Sequence, residues 1–170
     1  MALEQVIFDL RQYLQDISAG STRDFLDEFS YIHVIWHDWN ARTGIGQFNN
    51  QLIDFLSFHH EVVQAYIGVL RRNNEPVPSP LRFPLPPYDT RIDSVRDPYS
   101  FSRVLENWHN LVHTNTRSRR GGPYPDEFSD PAINIYLRLF WQFHFLIESK
   151  FLEWLRNNNM RYDDVDHTIM

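Results

Sequence analysis

Six of the eight histidines in this 170-residue chain fall into two copies of one pattern. Each copy is a His-x-x-x-His pair followed by one further histidine, 22 residues later in the first copy and 31 in the second. The two sets are His33, His37 and His59, and His109, His113 and His144. Residues four apart share one face of a helix, so each pair can present two imidazole nitrogens to one ion. The pattern therefore predicts histidine-bearing helices and a metal held by three imidazoles in each copy.

The ligand type narrows the choice of metal. A single histidine on an apolar face is more often a core residue than a ligand. The stretches that carry the six histidines, however, are rich in aromatic residues. Six imidazoles buried there would need six hydrogen-bond partners if no metal were bound. Imidazole suits copper, zinc, iron and nickel. Three neutral imidazoles per ion, with no carboxylate or thiolate at matching positions, favour two copper ions. Helical phase alone leaves His60 open as an alternative to His59.

Composition limits the other possibilities. Apolar residues make up 42% of the chain and aromatic residues 15%, so we expect one globular domain over residues 1–170. The net charge of −6 argues against a nucleic-acid partner. The chain has no cysteine, which excludes disulfides and thiolate-bound metals and favours a reducing compartment. No secretory signal or membrane-length apolar run is seen, so we expect a cytoplasmic protein with no membrane partner.

Apolar spacing predicts an all-α fold with five helices. The helices are expected at about 3–17, from a cap at Ser21 or Thr22 to the TGIG stretch at 43–46, at 50–72, from Asp97-Pro98 to beyond His113, and from Asp130-Pro131 to about 156. The last four carry the six histidines and are predicted to form a four-helix bundle core around a binuclear metal site, spanning about residues 22–156. The N-terminal helix is additional to this core.

The connecting segments are also distinctive. Seven of the ten prolines lie between Pro76 and Pro98, so residues 75–97 are predicted to form a long proline-rich loop. Asp97-Pro98 and Asp130-Pro131 both resemble helix starts, with a capping aspartate followed by proline. TNTRSRRGGPYP is predicted to be a loop, and the tail 158–170 to be mobile.

Several motifs resemble those of the type 3 copper proteins, the family of tyrosinases, catechol oxidases, arthropod phenoloxidases and haemocyanins. LENWHNLVH followed by the pair Gly121-Gly122 resembles the family's second copper motif. SDP and then FWQFHFLIESKFLEW resemble its third-ligand element, with Glu148 where aspartate is usual. IHVIWHDW and FLSFHHEVVQAYIGVLRR resemble the first copper region. The resemblance covers about residues 30–156, and it departs from the family in the shortness of the chain.

The resemblance implies a specific chemistry. Each histidine triad would hold one copper ion, the pair would bind dioxygen, and the protein would oxidise a phenol, a catechol or an o-aminophenol. It also implies that Asn110 positions a proton-accepting water, for which Glu106 is the candidate partner. The implied partners are a small phenolic or aminophenolic substrate and a copper-delivery protein.

Two other classes of function fit part of the pattern. A hemerythrin-like di-iron or oxygen-binding bundle uses His-x-x-x-His and His-x-x-x-Glu pairs, and His144 with Glu148 is such a pair. That class needs more carboxylates at matched helical positions than the chain offers. A non-catalytic helical module could use the proline-rich stretch 76–87 as a ligand, but this would leave six histidines unexplained. The five tryptophans are predicted to be packing residues around the site.

Overall fold

The computed structural model describes residues 10–43, 46–48, 51–82, 85–165 and 168–169. The described chain is predominantly helical, as the sequence predicts. It divides into two compact units, residues 1–79 with 167–170, and residues 80–166. Among the described residues, no helix combines the length and apolar character needed to cross a membrane.

The first unit contains three helices and a small sheet. The helices are α1 (Leu10–Ile17), α2 (Thr22–Thr43) and α3 (Phe55–Arg72). The strands are β1 (Gly46–Phe48), β2 (Gln51–Ile53) and β3 (Thr168–Ile169). They form an antiparallel sheet in the order β1-β2-β3. The sequence did not predict these strands, because segments of two or three residues are too short to show an alternating pattern.

The start of α3 differs from its prediction. We expected the helix to begin near residue 50, but residues 51–53 form β2 and the helix begins at Phe55. Asp54 is the reason, because its side chain accepts a hydrogen bond from the Ser57 backbone N–H at 2.7 Å. An aspartate in this position satisfies one of the backbone donors that a helix start leaves open. The cap therefore sets the residue at which the helix that carries His59 begins.

Aromatic side chains fill the core of the first unit. Phe25, Phe29 and Trp36 lie on one stripe of α2 and are fully buried. The Trp36 ring stacks on Phe58 of α3 with centroids 4.6 Å apart and planes 12° apart. Phe29 also stacks on Phe58, at 6.3 Å. This packing joins the two helices that carry the first histidine triad.

The second unit contains helices α4 (Pro98–His113), α5 (Arg117–Arg120) and α6 (Arg138–Asn157). Short 3₁₀ turns lie between and beside them, at Thr90–Ser94, Asp126–Ser129, Asn134–Tyr136 and Tyr162–Asp164. The predicted start of α4 is confirmed, since the Asp97 side chain accepts from Ser100 N at 2.7 Å and Pro98 occupies the first turn. α5 lies inside the stretch that we expected to be a loop, and a four-residue helix has no periodicity that a sequence could reveal.

The start of α6 is a correction. Asp130-Pro131 does not begin the helix, which starts at Arg138. Asp130 caps a local turn instead, because its side chain accepts from Ala132 N at 2.9 Å. Aspartate favours such turns as strongly as helix starts, so the motif alone is ambiguous.

Hydrogen bonds tie the proline-rich segment to the helices of the second unit. Leu81 N donates to Gln142 O at 2.8 Å, Trp108 Nε1 donates to Pro86 O at 3.2 Å, and Trp154 Nε1 donates to Val95 O at 2.5 Å. The described part of 75–89 has no helix or strand, as predicted, whereas Thr90–Ser94 forms a 3₁₀ turn. Two tryptophans therefore anchor this segment through their ring N–H groups as well as by packing.

Candidate metal centres

The first triad lies within the first unit. His33 and His37 are one turn apart on α2, and His59 lies on α3. One ring nitrogen from each of the three lies within 4.8 Å of the others. The Nε2 atoms of His33 and His37 are 3.0 Å apart, and His33 and His59 are almost fully buried. The sequence pattern thus brings three imidazole nitrogens together at one point.

The second triad lies within the second unit. His109 and His113 are on α4, and His144 is on α6. All three are buried, and their ring centroids are 4.4, 5.1 and 5.4 Å apart. The Nε2 atoms of His109 and His144 are 3.1 Å apart. These two nitrogens come from different helices, so tertiary packing produces their approach.

The two short nitrogen–nitrogen distances match the spacing of ligands on one ion. Imidazole nitrogens bind zinc at about 2.0–2.1 Å. Two such bonds at an angle of about 90–110° separate the nitrogens by about 2.8–3.4 Å. The observed 3.0 Å for His33 and His37 and 3.1 Å for His109 and His144 lie within this range.

Acceptors around the rings fix the position of the imidazole proton. The Nδ1 atoms of His59, His113 and His144 lie 2.7, 2.7 and 2.8 Å from backbone carbonyl oxygens. Those carbonyls belong to Phe55, Phe128 and Phe140. A carbonyl can only accept, so Nδ1 carries the proton in each ring and Nε2 carries the lone pair. This is the arrangement of histidine metal ligands, whose second nitrogen donates to an oxygen.

The electrostatics of the second triad fit a bound cation. His109 Nδ1–H donates to Asn110 Oδ1 at 3.1 Å, so its lone pair is also on Nε2. The lone pairs of His109 and His144 therefore face each other across 3.1 Å. A bound metal ion would relieve this repulsion, and so would a proton between the two nitrogens. A buried imidazolium among phenylalanines carries a large desolvation cost, whereas a metal ion uses both lone pairs.

The protonation state of the first triad also suits a metal. Desolvation lowers the pKa of His37 to about 4, and the negative charge of Asp38 partly opposes this shift. The side chain is therefore neutral near pH 7. Histidine must be neutral to bind a metal ion.

Aromatic rings hold the imidazoles of the second triad in place. His144 stacks on Phe140 with centroids 3.8 Å apart, and His113 stacks on Phe128 at 4.3 Å. His109 lies parallel to Phe143 at 5.4 Å, with 13° between the planes. Fixed rings in apolar surroundings lose little further freedom when an ion binds, which favours affinity.

The glycine pair shapes the turn that reaches His113. Gly121 has φ +63°, a conformation that glycine adopts without strain. A Cβ on Gly122 would lie 2.0 Å from Asn115 O, and the Gly122 N–H donates to Thr116 O at 3.0 Å. The chain can therefore turn back towards Phe128, whose carbonyl holds the His113 ring.

Gly122→Ala is expected to lower the free energy of unfolding by about 2–4 kcal/mol, because the methyl group would overlap a backbone carbonyl. The matched control is Gly68→Ala in the middle of α3. There the new Cβ would meet only Arg72 Nη1, at 3.7 Å, and alanine favours the helix by about 0.5–1 kcal/mol. Urea unfolding measures both variants. Equal stability of the two would contradict the role assigned to Gly122.

The other predicted site residues take varied places. His60 is half-buried and does not join the group formed by its neighbour His59, in the part of the chain that the structure describes. Asn110 is exposed, and Glu106 is half-buried one helical turn before it on α4. Residues four apart on a helix are neighbours. The roles of Asn110 in positioning a water and of Glu106 as the partner of that water remain predictions.

The expectation for the tryptophans is correct for four of the five. Trp36, Trp108, Trp141 and Trp154 are at most 5% exposed, but Trp39 is 45% exposed. Trp39 lies three residues after Trp36 on α2 and was wrongly assigned to the core. Its position in an aromatic-rich stretch gave no sign of the difference.

Sequence reasoning missed the residues that anchor the histidines. Phe55 and Phe140 precede His59 and His144 by four residues, and their carbonyls accept from Nδ1. This spacing was available in the sequence, because a helical side chain can reach the carbonyl four residues earlier. Phe128 had no such signal, since its carbonyl reaches His113 through a turn 15 residues away.

Comparison with known proteins identifies no relative. No protein-family model, curated protein or solved structure matches the chain. The two triads and the motif resemblance are therefore the observations on which a function can be proposed.

Proposed function

We propose that this protein is a type 3 copper oxidase. Each histidine triad holds one copper ion, and the protein uses dioxygen to oxidise a phenol, a catechol or an o-aminophenol. The observation that carries the proposal is the close approach of two histidine Nε2 atoms. In each of these rings the other nitrogen, Nδ1, donates a hydrogen bond to an oxygen. His109 and His144 have this arrangement in full, with Nε2 atoms 3.1 Å apart. The motif resemblance over residues 30–156 supplies the type of reaction.

The donor set favours copper over iron. Both triads consist of imidazoles alone, and imidazole sites bind copper more tightly than other first-row divalent ions. Glu148 is buried four residues after His144, which favours the di-iron alternative. However, among the described residues no carboxylate joins a group of three ligand atoms within 4.8 Å of one another. Di-iron bundles use several bridging carboxylates. The di-iron function is therefore the second candidate, after the copper oxidase.

The chain's own residues prepare the site. The carbonyls of Phe55, Phe128 and Phe140 hold the proton on Nδ1 and direct Nε2 towards the ion. Phenylalanine rings stacked on the imidazoles limit the access of water. Bound copper would supply the redox chemistry with dioxygen, and the protein would supply geometry and access. Asn110 would position a water that accepts the proton of the substrate, and Glu106 is the candidate partner of that water.

Metal titration of the apoprotein tests the proposal. We expect about two copper ions per chain, weaker uptake of iron, and an intense near-ultraviolet absorption that appears only with dioxygen. Oxidation of catechol, o-aminophenol and a monophenol would then be followed as product absorbance. Copper uptake without oxygen-dependent absorption would overturn the coupled pair. Iron uptake in preference to copper would overturn the copper assignment and support the di-iron alternative.

Asn110→Ala is expected to weaken copper binding at the second triad by about 10–100-fold, because the acceptor for the His109 Nδ1–H is lost. Asn107→Ala is the matched control, since Asn107 is also exposed on α4. Competition with a copper chelator gives the affinity of each site. A loss confined to monophenol oxidation, with copper affinity unchanged, would instead support the water-positioning role that the resemblance implies.

A further inference from the structure

Tyr88 lies in an unusual environment in the proline-rich segment. Its hydroxyl donates to Asp93 Oδ1 at 2.7 Å, and its ring meets the Trp108 ring edge-on with centroids 5.0 Å apart. Lys150, the only lysine in the chain, places its Nζ 4.3 Å from the centre of the same ring. One tyrosine therefore contacts a carboxylate, a tryptophan and a cation.

Trp108 connects this tyrosine to the second triad. It directly precedes His109 on α4, and its ring centroid is 5.8 Å from Phe143, the ring that lies parallel to His109. Trp108 is 5% exposed, Tyr88 is half-buried and Asp93 is exposed. The oxidisable rings thus form a short path from a buried histidine to the surface.

We propose that Trp108 and Tyr88 form a relay that carries an oxidising equivalent away from the second triad to the surface. This inference rests on the proposed function, because a copper oxidase without substrate at hand produces one-electron oxidants at its metal centre. Tryptophan and tyrosine are the side chains most readily oxidised by one electron among those present here. The relay would protect the histidines and phenylalanines of the site from oxidation.

Trp108 would lose one electron to a one-electron oxidant of the copper–dioxygen class, and Tyr88 would then donate one electron to the oxidised Trp108. Tyr88 loses its hydroxyl proton to the Asp93 carboxylate along the 2.7 Å hydrogen bond and becomes a neutral tyrosyl radical. A thiol or ascorbate-type reductant in solution then gives the radical one electron and one proton, and Asp93 releases its proton to water.

Two features of the surroundings favour this coupled route. Burial and the hydrogen bond to Asp93 raise the pKa of Tyr88, so the phenol stays protonated at neutral pH and must lose its proton when oxidised. The Lys150 ammonium over the ring disfavours a positively charged ring radical. Proton transfer to Asp93 therefore has to accompany electron transfer, which ties the function of Tyr88 to that carboxylate.

Photo-oxidation of the copper-free full-length chain with a ruthenium polypyridyl sensitiser tests the relay without needing copper. The tyrosyl radical is measured by electron paramagnetic resonance and by its transient absorption. We expect Tyr88→Phe to remove at least half of the radical yield and Asp93→Asn to slow radical formation several-fold. Tyr99→Phe is the matched control, since Tyr99 is 38% exposed, and it should leave the yield nearly unchanged.

A second arm uses the copper-loaded protein with dioxygen and no substrate. Mass spectrometry that locates oxidation at single residues should find oxidised Trp108 and Tyr88 first, and Trp108→Phe should shift oxidation to the histidine side chains of the second triad. Equal radical yields in Tyr88→Phe and Tyr99→Phe would overturn the relay even if copper binds. If copper does not bind, the proposed function fails, and the photo-oxidation result still decides whether Tyr88 is the preferred radical site.

Discussion

His59→Ala is expected to reduce the copper content to about one ion per chain and to abolish phenol oxidation, while His60→Ala retains about two ions and activity. His59 is 3% exposed, and its ligand atom lies within 4.8 Å of those of His33 and His37. With one of three ligands removed, the first triad would keep only the pair on α2. Two nitrogens are too few to compete with water and buffer for the ion, so the site would be lost.

The adjacent His60 is a matched control for the removal of His59. His60 has the same chemistry and differs by one helical position, so it controls for a general effect of removing an imidazole from α3. His59→Asn is a second variant that keeps more of the side-chain volume, and circular dichroism confirms the fold of each. Copper is counted by mass spectrometry of the metal. Full occupancy in both His59 variants, or loss of an ion in His60→Ala, would contradict the assignment of the ligand.

The histidine triads were predictable because their spacing obeys helix geometry. The pairs His33 and His37, and His109 and His113, are four residues apart, and this spacing determines which face they share once a helix forms. The third ligand of each set was assigned from the resemblance to the family's third-ligand segments, because helical phase alone left His60 open in place of His59. In the structure one ring nitrogen of His59 lies within 4.8 Å of those of His33 and His37, and the centroid of the His144 ring lies 5.1 and 5.4 Å from the centroids of the His109 and His113 rings.

The turns were less predictable than the helices. Asp97 and Asp130 are both followed by proline, but only Asp97 begins a helix. The difference depends on the residues that pack afterwards, such as Ile135, whose carbonyl accepts from Trp141 Nε1 at 2.7 Å. Packing contacts of this kind decide between a helix start and a local turn, and the Asp-Pro motif alone does not contain them. The four-helix bundle and the copper pair remain predictions.

Trp36→Ala is expected to lower the free energy of unfolding by about 3–5 kcal/mol and to abolish copper binding at the first triad. Trp36 is fully buried and stacks on Phe58 at 4.6 Å. Its ring also meets the edges of His37 at 5.1 Å and His59 at 5.3 Å. Removing the indole would leave a cavity between α2 and α3 and free both imidazoles to rotate, so ligands from two helices would no longer converge.

Trp39→Ala separates this effect from the general loss of an aromatic residue. Trp39 lies on the same helix but is 45% exposed, and its removal should change stability by at most about 0.5 kcal/mol with copper content unchanged. Denaturant unfolding of the apoproteins gives the stability, and metal analysis gives the occupancy. Because copper stabilises only the folded state, its addition should raise the stability of Trp39→Ala more than that of Trp36→Ala. Equal stabilisation of the two variants by copper would show that the Trp36 ring does not position the histidines of the first triad.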